Sequence, residues 1–166
     1  MRRLSAKSWS FELSPSGRNG WKAATTHGYT DRMANQATML QFDWELVEGT
    51  VVTAVLAKEA RTVSDGSLQC REIAFELGSR AVILRVNDDT DEVIVTLEDF
   101  EAGDEWLPLD PLGEIVSRTL GWCWVGRTYR GYLDTFTIAL DGIDPAFSFT
   151  GIASMLQCDR VTRIAA

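Results

Sequence analysis

Apolar and polar residues alternate along much of the chain beyond residue 40, as they do in β-strands that bury one face. The clearest alternating stretches are residues 73–77, 82–86 and 93–97. Residues 50–57 are apolar and rich in β-branched side chains, which is typical of a buried strand. These four segments predict an antiparallel sheet, and the acidic residues 87–91 predict the hairpin loop between two of its strands.

The segment that begins at Leu40 carries two overlapping patterns. Leu40, Phe42, Trp44 and Leu46 alternate with polar residues, which favours a strand. Leu40, Trp44 and Val47 also fit one face of a helix, so the helical interpretation stays open.

Four further strands are predicted in the last third of the chain, at residues 121–127, 131–140, 146–156 and 158–164. The apolar phase shifts across Gly151, from Phe147 and Phe149 to Ile152. Glycine inside a strand often marks a position where one extra residue is accommodated. The sequence therefore predicts a β-bulge at Gly151.

Residues 111–120 have the punctuation of a short helix. Asp110 is the predicted N-cap, Pro111 takes the first helical position and Gly121 ends the helix. The apolar face of this helix consists of Leu112, Ile115, Val116 and Leu120.

Together these elements predict a mainly β fold of the α+β type. We expect a strongly curved antiparallel sheet or half-barrel of about seven to eight strands, with the helix near 111–120 covering it. Residues 1–38 are rich in Ser, Thr, Gly and Asn and lack sustained periodicity, which predicts a flexible or poorly ordered leader with one short strand near 8–13. Residues 39–166 are predicted to form a single acidic β-rich domain.

The charge of the chain is negative and unevenly distributed. The net charge is -8 at pH 7, but residues 1–36 hold six Lys or Arg against Glu12 and Asp31, a formal +4, so the remainder carries -12. A nucleic-acid binder needs a basic surface, and an anionic membrane repels an acidic one. The sequence therefore argues against nucleic acid and membrane partners. It fits a basic protein partner, although an acidic surface also serves solubility alone.

Residue types that catalysis and metal binding require are scarce. The cysteines, Cys70, Cys123 and Cys158, are odd in number and widely spaced, which fits neither a disulfide framework nor a zinc site and predicts a reducing cytoplasm. His27 is the only histidine and lies in the leader, so a Ser–His–Asp or Cys–His mechanism is not expected. No apolar run approaches the length of a membrane span. We predict no catalytic set, no cofactor and no metal.

Four short motifs occur in an order and spacing that match a known family: VNDDTDEV at 86–93, LGWCW at 120–124, GYLD at 131–134 and GIAS at 151–154. Through them the chain resembles a small family of uncharacterised bacterial proteins, the domain-of-unknown-function family 6334, over residues 45–165. The turn RTYR at 127–130 departs from the glutamine-rich turn that such proteins have there. The resemblance implies a bacterial origin and a single small domain, and it implies no activity and no site residues.

Asp134 is the candidate for a ligand pocket. By strict alternation it shares a strand face with Tyr132 and Phe136, and Trp122 and Trp124 lie on the preceding strand. An aspartate on an apolar face costs free energy unless it is paired. It therefore either lines an aromatic pocket with Tyr132, Trp122 and Trp124, or is held structurally by backbone amides or an arginine.

Residues 87–98 imitate a calcium loop. Asn87, Asp89 and Asp91 occupy the first, third and fifth positions of an EF-hand. Glu92 stands where that loop needs a glycine, and the flanking residues predict strands instead of helices. We interpret this segment as a solvated acidic turn.

Three functions fit this sequence, in decreasing order of preference. The first is a non-enzymatic protein-interaction module of inhibitor or immunity type, with an interface formed by Trp106, Asp99, Glu101, Asp104 and Glu105. The second is a small-molecule-binding protein or enzyme with a pocket around Asp134. The third is a structural subunit that pairs through an exposed sheet edge.

Overall fold

The computed structural model describes residues 9–12, 20–23, 40–64 and 66–162. The chain divides into two units, Met1–Gln36 and Ala37–Ala166. In the first unit, β1 (Trp9–Glu12) pairs antiparallel with β2 (Gly20–Ala23), so the short strand predicted near the N-terminus is present. The flexibility predicted for the leader, like His27, concerns residues that lie mostly outside the described ones.

The regular secondary structure of the second unit consists of strands and two short 3-10 helices. The strands are β3 (Ala54–Lys58), β4 (Arg61–Thr62), β5 (Leu68–Cys70), β6 (Glu72–Glu76), β7 (Arg80–Val86), β8 (Val93–Asp99), β9 (Leu107–Pro108), β10 (Leu120–Arg127), β11 (Leu133–Leu140), β12 (Pro145–Ile152) and β13 (Met155–Arg160). They form one antiparallel sheet in the order β8-β7-β6-β3-β9 and another in the order β10-β11-β12-β13-β5-β4.

The mainly β, antiparallel fold is confirmed, but the prediction of one curved sheet of about seven to eight strands is wrong. The described residues of the second unit form two sheets, of five and six strands. Only Arg71 separates β5 from β6, so the chain passes from one sheet into the other without a loop. A sequence carries no turn signal at such a junction, so the pattern of the sequence does not separate the two sheets.

A single hydrophobic core receives side chains from both sheets. Phe75 of β6 meets Phe149 of β12 edge to face, with ring centroids 5.6 Å apart, and both side chains are fully buried. Phe136 of β11 packs against Trp44 at 5.5 Å. Burying one such phenylalanine stabilises the fold by roughly 1.5–3 kcal/mol. The large aromatic residues of the core thus hold the two sheets together.

The prediction of a helix over 111–120 is wrong in type and length. A 3-10 helix spans Asp110–Ile115, with Pro111 in its first turn as expected. Asp110 belongs to the helix, and the N-cap position is occupied by Leu109, which makes no side-chain capping hydrogen bond. Val116 returns to extended backbone and Ser117 has a φ of 70°, so the helix ends well before Gly121.

The segment that begins at Leu40 contains a second 3-10 helix, Trp44–Leu46, instead of a strand. The carboxylate of Asp43 accepts a hydrogen bond from the backbone amide of Glu45 at 3.1 Å and so caps the first turn. The indole Nε1 of Trp44 donates to the carbonyl of Gly121 at 2.8 Å. The apolar residues here therefore cover the start of β10. Neither 3-10 helix, nor any other described helix, is long and apolar enough to cross a membrane.

Gly151 is explained by packing and not by the predicted bulge. It pairs in regular register with Leu156 of β13. A Cβ atom on Gly151 would lie 2.0 Å from the carbonyl oxygen of Asp91, so no other residue fits without displacing backbone. The phase change in the sequence comes from a tight turn, because Ala153 and Ser154 both adopt positive φ values of 49° and 64°.

Candidate functional site

The acidic loop predicted as an interface connects opposite edges of the five-stranded sheet. β8 ends at Asp99 on one edge, whereas β9 pairs with β3 on the other. Residues 100–106 must therefore cross the sheet. They cross the face that points away from the main core, where Phe100 and Trp106 pack on a small cluster formed by Leu56, Ala74, Ala81 and Ile83.

Trp106 is the residue that fastens this loop. Its ring meets Phe100 in a T-shaped contact with centroids 5.3 Å apart, and the Nζ atom of Lys58 lies 4.6 Å above the ring. The backbone amide of Trp106 donates to the carbonyl of Gly103 at 3.0 Å, which tightens the turn before it. The aromatic ring thus packs on the sheet, and only part of it is exposed to solvent.

Lys58 joins the loop to the sheet by charge as well. Its Nζ atom lies 2.7 Å from a carboxylate oxygen of Glu105 and 3.5 Å from one of Glu72. The hydrogen bond to Glu105 is the main reason why the pKa of Lys58 is raised above its ordinary value. The lysine therefore stays charged, and Glu105 is partly neutralised within the chain.

The remaining acids of the loop are directed outward. Asp99, Glu101 and Asp104 are exposed, and none of them forms an ion pair with another residue of the described parts of the chain. The structure therefore separates the five predicted interface residues by role. Trp106 and Glu105 fix the loop, whereas the other three carboxylates remain available to a partner.

Asp134 lies at a break in the pairing of β10 with β11. The register shifts between Thr135 and Leu133, so one residue is added to the β11 side. Leu133 and Phe136 are both buried, whereas Asp134 is half-buried. The register shift interrupts the strict alternation that was used to place Asp134 on the face of Phe136.

The aromatic residues that were predicted to line a pocket with Asp134 are exposed. The exposed fractions are 51% for Trp122, 36% for Trp124 and 39% for Tyr132. Tyr129, at the tip of the same hairpin, is 92% exposed. The described aromatic side chains that are this exposed all belong to the β10–β11 hairpin. A pocket around Asp134 stays a prediction.

A cavity that the sequence did not predict lies where β5, β12 and β13 meet the 3-10 helix Asp110–Ile115. Its volume is about 240 Å³, and its lining combines an apolar floor with a charged rim: Gly66, Ser67, Leu68, Pro111, Leu112, Glu114, Phe147, Cys158, Asp159 and Arg160. Arg160 pairs with Glu114 and lies 5.6 Å above the ring of Phe147. Four segments distant in sequence form this cavity, so no local pattern signals it.

The cysteines are poorly suited to nucleophilic chemistry. Burial raises the pKa of Cys70 and of Cys158 to about 12 and that of Cys123 to about 11. A thiol with such a pKa is protonated at neutral pH, and the thiolate is the reactive form. All three are free of disulfide bonds.

The acidic side chains near residues 87–98 hold the turn in place. Asp88 pairs with Arg71 at 2.8 Å, and the carboxylate of Asp91 accepts a hydrogen bond from the amide of Ser154 at 2.7 Å. Within the part of the chain that the structure describes, no three His, Cys, Asp or Glu side chains are grouped closely enough to hold a metal ion. These contacts give the acids a structural role at the end of the β7–β8 hairpin.

Comparison with known proteins identifies a family but no function. A family model described as "Family of unknown function (DUF6334)" matches residues 33–165, which confirms the predicted resemblance and extends it toward the N-terminus. No curated protein and no solved structure matches the chain. The role of the surfaces described above therefore has to be argued from their geometry.

Proposed function

We propose that this chain, which belongs to the DUF6334 family of unknown function, is a non-enzymatic protein-interaction module that binds a basic protein partner. The observation that carries the proposal is the crossing of residues 100–106 over the five-stranded sheet. Trp106 fastens this loop, and Asp99, Glu101 and Asp104 are left exposed on it. A protein of inhibitor or immunity type acts by covering a surface of its target, and fixed carboxylates recognise a basic surface.

Fastening the loop before binding favours the complex. Association costs free energy when side chains and loops become ordered, and a loop that is already fixed avoids part of this cost. Trp106 and the pair formed by Lys58 and Glu105 provide that fixation on the free protein. The three exposed carboxylates are therefore presented in a defined arrangement.

The remaining acidity contributes mainly to the rate of encounter. A charge of -12 beyond residue 36 attracts a basic partner over distances that depend on ionic strength. Screening shortens the reach of these charges from about 8 Å at physiological salt to about 3 Å at 1 M. Binding through exposed carboxylates is therefore expected to weaken steeply as salt is added.

The experiment is affinity capture of the full chain from bacterial cytosol at low and high salt, followed by binding measurements with the purified partner. The test variant is D99N/E101Q/D104N, which neutralises the three exposed loop acids. The control variant, E45Q/E48Q/E59Q, removes the same amount of charge from exposed acids outside the loop.

We expect a basic partner in near-equal amount, lost at high salt. The loop variant should bind it at least about tenfold more weakly, whereas the control should lose about twofold or less, because only a local contact distinguishes two variants of equal net charge. If both variants bound the partner equally weakly, the binding would depend on the net charge of the protein and not on the loop. An empty capture at low salt would contradict the proposal.

We also propose the bacterial cytoplasm as the location of the protein. The three disulfide-free cysteines support a reducing compartment. Cell fractionation with an antibody against the native protein tests this, and recovery from the periplasm or the medium would contradict it.

A further inference from the structure

Sheet edges with unpaired backbone groups attract other strands, and proteins usually protect them. Three of the four edges of the five- and six-stranded sheets are protected. β4 and β9 are two residues long, and β9 contains Pro108. β8 is longer, but the amide of Gln41 donates to the carbonyl of Val95 at 3.4 Å, and the strand ends in acidic residues.

β10 is the fourth edge, and only its beginning is covered. The amide of Gly49 donates to the carbonyl of Leu120 at 2.7 Å, the amide of Leu120 donates to the carbonyl of Thr50 at 2.9 Å, and Trp44 covers the carbonyl of Gly121. Beyond this point, among the residues that the structure describes, no strand pairs with the outer side of residues 122–126. We call these five residues the open edge.

The open edge lacks the features that normally keep strands apart. Its sequence, Trp-Cys-Trp-Val-Gly, contains no charge and no proline. Trp122 and Trp124 are exposed on one face, whereas Cys123 and Val125 pack toward the core on the other. An uncharged, apolar edge with exposed indoles stands out in a unit whose other surfaces are strongly acidic.

We propose that the open edge pairs antiparallel with the open edge of a second copy of this chain, forming a two-fold dimer. Such pairing would satisfy the outward backbone groups of both strands and join two six-stranded sheets into one. A two-fold axis perpendicular to the sheet keeps equivalent faces on the same side. The exposed indoles of Trp122 and Trp124 from both copies would therefore meet and lose water together.

Symmetry favours a second copy as the occupant, and the charge distribution permits it. Each copy carries a net charge of -8, so two copies repel one another except where their contacting surfaces are uncharged. The open edge meets this condition, and Arg127 is the charged residue that follows it. Self-pairing of one strand uses the same patch on both copies, which closes the assembly at two.

The test is sedimentation analysis of the full chain over a range of concentrations. W124K is the test variant, because it would place a charge from each copy close to the two-fold axis. Y129K is the control: it adds the same charge to a 92% exposed aromatic residue of the same hairpin, outside the open edge. Thermal unfolding of both variants verifies that they are folded.

We expect the wild type and Y129K to dimerise equally, and W124K to dimerise at least tenfold more weakly. A wild type that stays monomeric at all concentrations would overturn the proposal and leave the open edge to an extended segment of another protein. A dimer that survives W124K unchanged would also overturn it.

A cysteine scan gives independent evidence. In a C123S background, whose remaining cysteines Cys70 and Cys158 are buried, one cysteine is placed in turn at each of positions 122 to 126. Two-fold antiparallel pairing brings equivalent residues of the two copies together near the axis only, so one or two adjacent positions should cross-link strongly under mild oxidation. Equal, weak cross-linking at every position would contradict the pairing. The loop variant D99N/E101Q/D104N should dimerise at least as tightly as the wild type, because its two copies repel one another less. This result separates the dimer from the function proposed for the acidic loop.

Discussion

Trp106 and Trp124 lie in two regions of the molecule in which a tryptophan on the outside of a sheet has different surroundings. Trp106 lies on the outer face of the five-stranded sheet, with Phe100 beside it and Lys58 above it. Trp124 lies on the edge strand β10 of the six-stranded sheet and is 36% exposed. The first tryptophan fixes a loop on its sheet, and the second is the more exposed of the two.

The difference follows from connectivity. β8 and β9 are on opposite edges of one sheet, so the loop between them must cross its face and brings Trp106 onto it. β10 and β11 are neighbours in the other sheet, so their short connection turns back at the tip and leaves the face open. The path of the chain therefore decides which aromatic surface is covered.

The largest expected effect concerns the core that both regions share. Phe149 is fully buried against Phe75, so F149A should lower the free energy of unfolding by about 3–5 kcal/mol through lost contacts and a residual cavity. Urea denaturation measures this loss. A loss below about 1 kcal/mol would show that the two sheets are not held together by this contact.

The next effect tests the comparison itself. W106A should destabilise the fold by about 2 kcal/mol, because the ring covers apolar residues of the sheet. W124A should cost less, about 1 kcal/mol in the monomer, because 36% of Trp124 stays exposed in the folded chain. Both values come from urea denaturation at low protein concentration. Equal losses would remove the distinction between a fastened and an open tryptophan.

A smaller effect is expected at the charge that fastens the loop. K58M keeps the aliphatic stem and removes the cation above Trp106 and beside Glu105. We expect a loss of about 0.5–1 kcal/mol in the free energy of unfolding that shrinks when the measurement is repeated in 1 M salt. R127M, which removes a charge from the β10–β11 hairpin, is the control. A loss as large in R127M as in K58M would contradict a specific role for Lys58.

The smallest effect concerns the covered end of β10. The backbone amide of Thr119 and the guanidinium of Arg118 both bond to the carboxylate of Asp141 and hold its pKa below the ordinary value. A carboxyl whose pKa is lowered in the folded state stabilises the fold at pH values above its unfolded pKa of about 3.9. This stabilisation is lost as the pH falls through the folded pKa. D141N should therefore melt at a lower temperature than the wild type at pH 7, and this difference in melting temperature should disappear below pH 4. A gap that is constant from pH 7 to pH 3 would show that the charge of Asp141 does not matter.

Strands β6, β7 and β8 of the five-stranded sheet were predictable because their apolar residues that face the main core recur with a period of two. Ile73 and Phe75, and equally Val82 and Leu84, face the main core and leave a period of two in the sequence. The division into two sheets was not predictable, because Arg71 alone marks the junction. Local patterns therefore report which face of a strand is buried but not which strand lies next to it.

The candidate surfaces show the same limit. The exposed acids of the loop could be named from the sequence, since charged residues are seldom buried. The fastening of Trp106 depends on Lys58 and Phe100, which reach it only after the loop has crossed the sheet. Asp134 was misplaced because the register shift in β11 has no signal in its own sequence. Contacts between distant segments decided each of these cases.

Amide hydrogen exchange of the full chain, alone and with the captured basic partner, tests the central claim most directly. The account predicts that binding slows amide exchange in residues 99–106 and leaves the exchange of residues 122–132 in the β10–β11 hairpin unchanged. Protection along residues 122–132 with an unaltered acidic loop would contradict it, because the partner would then bind at the open edge and the carboxylates would serve only to keep the surface charged.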